Sequence, residues 1–222
     1  MAVIHATTMT PGKLELLASW LPTQPWYLGA GRAPELSRAG GFRLDDPEGE
    51  VGIEFMVIVD AAGGQPVVYH VPLTYRAAPL DAAEHALVGT SEHGVLGRRW
   101  VYDGAHDPIL VAQLLALVQG RAEPQDQSAT DTPDPSVTAH FAGPGLAPFT
   151  GSEAVGNGPD GTDLVVDTAA PEGPQTLTVT RVLRPDPQGG GASRPAGTRG
   201  HVAAGWRSPD GAHHRAAFAV LR

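Results

Sequence analysis

Val51-Gly-Ile-Glu-Phe-Met-Val-Ile-Val59, Asp60-Ala-Ala-Gly-Gly-Gln65 and Pro66-Val-Val-Tyr-His-Val-Pro-Leu-Thr-Tyr75 decide the fold class. Two runs rich in β-branched and aromatic residues flank a Gly-Gly turn, which predicts a β-hairpin. Pro72 predicts an irregularity or an exposed edge in the second strand, because proline has no N–H to give to a ladder.

Upstream, Thr10-Pro11 reads as a helix start, with Thr as N-cap and Pro at the first helical position. Leu14, Leu17 and Leu21 then share one face with Trp20 alongside, and Pro22 ends the helix. Trp20-Leu-Pro-Thr-Gln-Pro-Trp26-Tyr27-Leu-Gly-Ala-Gly-Arg32 follows, and Gly40-Gly41 breaks the chain before Phe42. Downstream, Gly97-Arg-Arg-Trp-Val-Tyr102 is a third candidate strand. Asp107-Pro108 repeats the capping logic for a second helix, which runs to about Gly120 and is expected to pack on the sheet.

Residues 122–136 hold no apolar side chain larger than alanine and read as a polar linker or long exposed loop. Beyond them, Thr162–Val166, Thr176–Leu183, His201–Trp206 and His213–Leu221 alternate as strands do, with Gly/Pro-rich turns between them. Gly189–Ser193 reads as a loop. The second half is therefore expected to be a small antiparallel sheet. No internal repeat stands out.

The chain has 222 residues and a net charge of −9, enough length for one large or two small cores. Residues 1–150 carry 17 acidic and 8 basic side chains, while residues 151–222 carry 7 of each. Affinity for a phosphate backbone needs clustered Lys and Arg, so neither nucleic acid nor an anionic membrane is an expected partner. Zero cysteines exclude disulfides, thiolate ligands and a cysteine nucleophile. With no apolar run of spanning length and no basic-then-apolar start, the expected location is cytoplasmic.

The tryptophan-rich stretch from Trp20 to Arg32 resembles the opening of actinobacterial maltokinases, whose N-terminal cap leads from a helix into Trp-Leu-x-x-Gln-x-Trp-aromatic-x-Gly-x-Gly-Arg. Val71-Pro-Leu-Thr-Tyr-Arg76, the passage from Gly89 and the helix opening at Asp107-Pro108 are supporting marks, and together they cover roughly residues 1–120. The family often has a basic residue where this chain has Pro25 and a lysine where it has Ala30. The resemblance implies a cystatin-like cap, a curved antiparallel sheet carrying helices, and a context in trehalose, maltose-1-phosphate or glycogen metabolism.

The kinase that follows such a cap needs a phosphate-holding lysine, an aspartate base and an Asp/Asn pair for magnesium. Here the single lysine is Lys13 in the first helix, and the single asparagine, Asn157, lies in a Gly-rich turn. No His-x-Asp loop or Asp-Phe-Gly-like segment occurs, so phosphoryl transfer is not expected and no catalytic residue is assigned.

Other chemistry is thin. Gly89-Thr-Ser91-Glu-His93-Gly94 departs from the Gly-x-Ser-x-Gly spacing of a nucleophile elbow and reads as a turn before a strand. Glu84-His85, Glu92-His93, Asp103, His106 and Asp107 match no metal-ligand spacing. They read as solvated loop groups and, at Asp107, a helix cap, so no metal and no cofactor is expected. His213-His214 would point to opposite faces of a strand. Gly29-x-Gly31 lacks the third glycine and preceding strand of a dinucleotide fingerprint. Trp20, Trp26, Tyr27, Trp100 and Tyr102 either pack a core or stack on sugar rings, with arginines nearby for hydroxyls. On the second alternative the ligand-binding candidates are Trp26, Tyr27, Arg32, Arg99, Trp100 and Tyr102.

The sequence thus predicts an α+β protein: a cystatin-like cap over residues 1–121, a linker over 122–136 and a smaller β-rich domain over 137–222. The resemblance implies a non-catalytic accessory protein contacting a sugar, a glucan or an enzyme of glucan or trehalose metabolism. The alternative is a detached N-terminal half that docks on a separate kinase lobe and serves sugar phosphorylation.

Overall fold

The computed structural model describes residues 8–29, 31–143, 145–159, 161–169, 173–185 and 197–222. The loop expected at Gly189–Ser193 lies outside them. The hairpin is the centre of the first sheet: β3 (Gly52–Asp60) pairs with β4 (Val67–Arg76) in unbroken register, from Gly52 opposite Tyr75 to Asp60 opposite Val67. Around it stand β1 (Met9–Thr10), β2 (Leu36–Leu44), β5 (Leu87–His93), β6 (Gly97–Asp103) and β7 (Gln125–Asp126), in the order β1-β5-β6-β4-β3-β2-β7.

The second half forms β8 (Thr138–Phe141), β9 (Phe149–Asn157), β10 (Gly161–Thr168), β11 (Gln175–Thr180), β13 (Gly200–Arg207) and β14 (His213–Leu221), ordered β8-β13-β14-β11-β10-β9. Between them β12 (Val182–Leu183) leaves that sheet and adds to β4 of the first. Among the described residues every pairing is antiparallel, and the fold is mostly β with two α-helices, α1 (Lys13–Trp20) and α2 (Pro108–Val118).

Pro72 explains how β4 gains two partners on one side. The His70 N–H points away from β3 and donates to Arg181 O at 2.9 Å. Pro72 has the same parity, so its missing donor falls on that side too. There β6 covers residues 73–76 and β12 covers residues 68–69, with Pro72 in the gap between them.

Alternation along β3 divides the core. Ile53, Phe55 and Val57 face a cluster shared with α2 (Leu110, Leu114) and with the second sheet (Leu177, Val202, Phe218). Met56 and Ile58 face the opposite side, where α1 and the loop after it bring Leu17, Trp20, Leu21 and Trp26. The first sheet is thus sandwiched, and the two halves of the chain share one apolar cluster.

Local signals held for α2: Asp107 accepts from Ile109 N at 3.0 Å with Pro108 in the first turn, and Gly120 follows the helix at φ +70. The first helix corrects the expectation. Thr10 is spent in β1 opposite Glu92, the N-cap is Gly12, and Glu15 reaches back to accept the Gly12 N–H at 2.6 Å. Residues 122–136 do not hang free. Gln125 and Asp126 pair with Arg43 and Phe42 of β2, and the Asp126 carboxylate accepts from Ser128 N and Ala129 N.

Candidate functional site

The chain crosses between its halves at residues 180–183, and the crossing is held by buried polar groups. Arg181 is fully buried: Nη2 donates to Asp103 Oδ2 at 2.6 Å, and Nε donates to Thr162 Oγ1 at 2.9 Å. Its guanidinium lies 5.1 Å from the Trp26 ring centroid, a cation–π contact between the second half and the tryptophan-rich loop. His70 Nδ1 sits 2.8 Å from Thr180 O, so that nitrogen carries the proton. The ring lies between Phe55 and Phe218, at 5.9 and 4.4 Å. Burial pulls its pKa down to about 3, aided by the Arg181 charge and opposed by the Thr180 hydrogen bond.

Beside this crossing opens a groove of about 540 Å³. Its described lining is Leu28, residues 66–68 at the start of β4, residues 182–185, and the β13–β14 hairpin. The walls are mainly Leu, Val and Pro, with Arg184 and Asp210 as the charged groups. Trp206 lies beneath it, only 3% exposed. At the hairpin turn Ser208 Oγ donates to the Asp210 carboxylate, and His214 Nε2 lies 2.9 Å from the same oxygen. A hydrolytic triad needs its histidine between acid and serine; here serine stands between them, and the three side chains clamp a turn. That hydrogen bond, with one from Ala212 N, holds the Asp210 carboxyl below its usual range.

On the α1 side of β3 two carboxylates sit at opposite ends of one row. Glu54, 3% exposed, accepts from Lys13 Nζ, from Tyr75 OH at 2.6 Å and from Gln127 Nε2 at 2.8 Å, with Arg38 Nη2 at 3.6 Å. Burial alone would raise its pKa; the Lys13 charge and hydrogen bond, with those of Tyr75 and Arg38, override this and lower it. Asp60 accepts from Tyr27 OH at 2.7 Å, Glu35 N at 2.9 Å and Ala62 N at 3.0 Å. Against the upward push of burial, these bonds hold it low.

The six candidate ligand residues fall into two separated groups. Trp26 is 1% exposed and packs edge-on to Trp20 in the core, and Tyr27 is tied to Asp60. Arg32 reaches the hairpin turn at Ala62 O. Along β6, Val101 faces the same cluster as Trp26, so Trp100 and Tyr102 project from the opposite face. Tyr102 is 2% exposed with its hydroxyl accepting from Leu80 N, and Arg99 Nη2 donates to Leu96 O.

Ser91 is not in a turn. It lies within β5, buried, and donates to Pro11 O at 2.8 Å. His85 Nε2 and His106 Nδ1 meet at 3.1 Å, and His106 Nε2 is 3.9 Å from the Asp103 carboxylate that Arg181 holds. Among the described residues no group of three or more His, Asp or Glu side chains is arranged to hold a metal ion, and no helix is long and apolar enough to cross a membrane. Sequence reasoning missed Arg181, Glu54 and the groove. Isolated charges inside apolar runs, Glu54 in Val51–Val59 and Arg181 in Thr176–Leu183, were the available signal.

Residues 20–107 match the family of maltokinase N-terminal cap domains. None of the curated proteins matches the chain.

Proposed function

We propose that this chain, whose residues 20–107 form a maltokinase N-terminal cap-like domain, is a non-catalytic accessory protein of trehalose, maltose or glycogen metabolism. In this reading it works in the cytoplasm and holds an enzyme of that metabolism through the groove beside the crossing, with no cofactor. The cap is read as cystatin-like over residues 1–121, followed by the segment 122–136 and a β-rich unit over residues 137–222 that closes one face of the cap.

The observation that carries this reading is the chemistry of the groove. A sugar site offers open aromatic faces and converging hydroxyl partners, whereas this groove is walled by aliphatic and proline side chains above a covered Trp206. Such walls suit an apolar protein segment. Docking on a separate kinase lobe asks for exposed apolar surface on residues 137–222, and the described residues of that half expose no large apolar side chain.

Two titrations test the reading with the full chain. Calorimetry against purified enzymes of maltose phosphorylation and glucan elongation should give binding that Leu28→Glu weakens, since Leu28 is on the groove wall and 53% exposed. A thermal-shift panel of trehalose, maltose, maltose-1-phosphate, maltooligosaccharides and ATP with magnesium should leave Tm unchanged. A sugar that raises Tm in the wild type and not in Leu28→Glu would replace the protein-segment reading with a sugar site.

A further inference from the structure

Along the chain His85, Asp103 and His106 are scattered loop groups; in the fold they converge. Two short 3-10 turns, Asp81–Ala86 before β5 and Gly104–His106 after β6, meet so that His85 Nε2 lies 3.1 Å from His106 Nδ1. Both turns are anchored. Tyr102 OH accepts from Leu80 N at 2.8 Å at the start of the first, and Ala83 and Ala86 are buried against Tyr102. Asp103 Oδ1 caps the second by accepting from Ala105 N at 3.2 Å, and Asp107 N donates to Gly104 O at 3.0 Å. The two imidazoles are therefore held together by ordered backbone and need not be gathered from loose loops.

Where two neutral imidazole nitrogens meet, one donates and the other presents a lone pair. Asp103 Oδ2 lies 3.9 Å from His106 Nε2, an electrostatic contact too long for a hydrogen bond, and it favours the proton on that nitrogen. His106 Nδ1 is then the lone-pair nitrogen and His85 Nε2 the donor. Burial holds the His106 pKa below its ordinary value; Asp103 opposes this, and His85 and Arg181 add to it, so the ring is neutral at pH 7. The His85 side of the contact is exposed and reachable from solvent.

We propose that His85 Nε2 and His106 Nδ1 are the two protein ligands of a divalent transition-metal site. The metal class is the one that takes imidazole nitrogen: zinc, copper(II) or nickel(II). Zinc–nitrogen bonds of about 2.0–2.1 Å at a tetrahedral angle set the two ligand nitrogens about 3.3 Å apart. The present 3.1 Å reaches that spacing by a small outward turn of the exposed His85 ring. Water fills the remaining positions, because the described residues supply no third His, Asp or Glu ligand there. No oxidation state changes. His106 already offers its Nδ1 lone pair, and His85 moves its one proton from Nε2 to Nδ1 through solvent, so two neutral rings bind without net proton release. Asp103 stands behind His106 as the orienting carboxylate of a metal-bound histidine. The ion clips two turns together and enters no reaction. The site shares no residue with the groove and stands independently of the reading of the groove.

Zinc and copper(II) titrated at neutral pH into the full chain, free of any added histidine tag, test this. The wild type should bind both, with a raised Tm and slower amide exchange at residues 81–86 and 104–106. Magnesium, which selects oxygen ligands, should do neither. His85→Asn and His106→Gln should each weaken binding by at least about tenfold. In each of these variants the copper spin-resonance spectrum should lose one of its two nitrogen couplings. His140→Gln/His201→Gln removes the other facing histidine pair and should bind as the wild type does. Because protons compete for the ligands, affinity should fall as pH drops through the imidazole range.

His85 is exposed, so an unchanged metal-free Tm in His85→Asn separates a lost ligand from lost folding. A wild type that binds neither zinc nor copper would overturn the site. So would binding that survives His85→Asn/His106→Gln, or that disappears in His140→Gln/His201→Gln instead.

Discussion

Two buried carboxylates on the first sheet, Asp103 and Glu54, are stabilised in opposite ways. Asp103 faces one dominant partner, an arginine with no solvent exposure that arrives from residue 181. Glu54 faces four partners, and both its cations reach water: Lys13 is 29% exposed and Arg38 47%. A carboxylate whose charge is met by one enclosed cation, with only the Ala105 N–H beside it, depends chiefly on that cation. One bound to several partial donors loses a fraction when any is removed.

Arg181→Met gives the largest expected effect. It leaves Asp103 buried, close to His106, and deletes the contacts to Thr162 and Trp26. Removing one member of a buried pair typically costs ~3–5 kcal/mol. Urea unfolding should show a loss of stability of that order, and Arg181→Met/Asp103→Leu should recover part of it. A loss under about 1 kcal/mol would mean that the crossing does not fasten the two halves.

His70, on the other face of the sheet but beside the same crossing, sharpens the comparison. Its pKa is about 3 when folded, against about 6.5 for the free side chain, so between those values the unfolded chain binds the extra proton. Stability from keeping it neutral is complete above about pH 6.5. It falls by roughly 1.4 kcal/mol per pH unit on acidification and levels off near pH 3. Denaturant midpoints measured from pH 7 to pH 5, above the carboxylate range, should slope for the wild type and slope less for His70→Gln, where burial of His106, whose pKa is also lowered, leaves a smaller slope of the same sign. Parallel slopes would show that the imidazole reaches water.

The β3–β4 hairpin, the strand at residues 97–103 and the Asp107-Pro108 helix start are local signals, complete within a few residues, and each forms where expected. The Thr10-Pro11 start failed because a distant strand claimed Thr10 for pairing with Glu92. Arg181 lies 78 residues from Asp103, and Glu54 lies 41 and 73 residues from Lys13 and Gln127. Patterning says only that such a charge sits in an apolar run. The groove needs four segments at once, so its existence follows from tertiary packing alone. The aromatics were visible, but whether a tryptophan packs or stacks depends on what covers it, and Arg181 and Trp20 cover Trp26.

Glu54 should respond more gently. Lys13→Met removes one cation but leaves Tyr75, Gln127 and Arg38 in place, and the lysine was already partly in water. A cost of about 1–2 kcal/mol is expected, well below that of Arg181→Met. Its pH signature is the reverse of a simple loss. The wild-type carboxyl is held below its ordinary range, so its contribution is present above the unfolded carboxylate pKa and fades as pH falls through the folded one. Lys13→Met should remove most of that fading component. If it proves as costly as Arg181→Met, the distinction between one enclosed partner and several shared ones fails.

Gln127→Ala is the smallest and most discriminating change. Gln127 belongs to the polar stretch 122–136, yet its amide donates to Glu54 Oε1 and its neighbours pair with β2. If that stretch is fastened through Glu54, losing this one part-buried hydrogen bond costs about 0.5–1 kcal/mol, because water can replace the amide. The informative readout is therefore local. Amide exchange of residues 125–134 should accelerate in Gln127→Ala, while β3 and β4, whose ladder runs unbroken beneath Glu54, keep their protection. Acceleration spread equally over β3 would mean instead that the amide supports the buried carboxylate itself. The four partners of Glu54 would then form one cooperative unit, as dependent on each member as Asp103 is on Arg181.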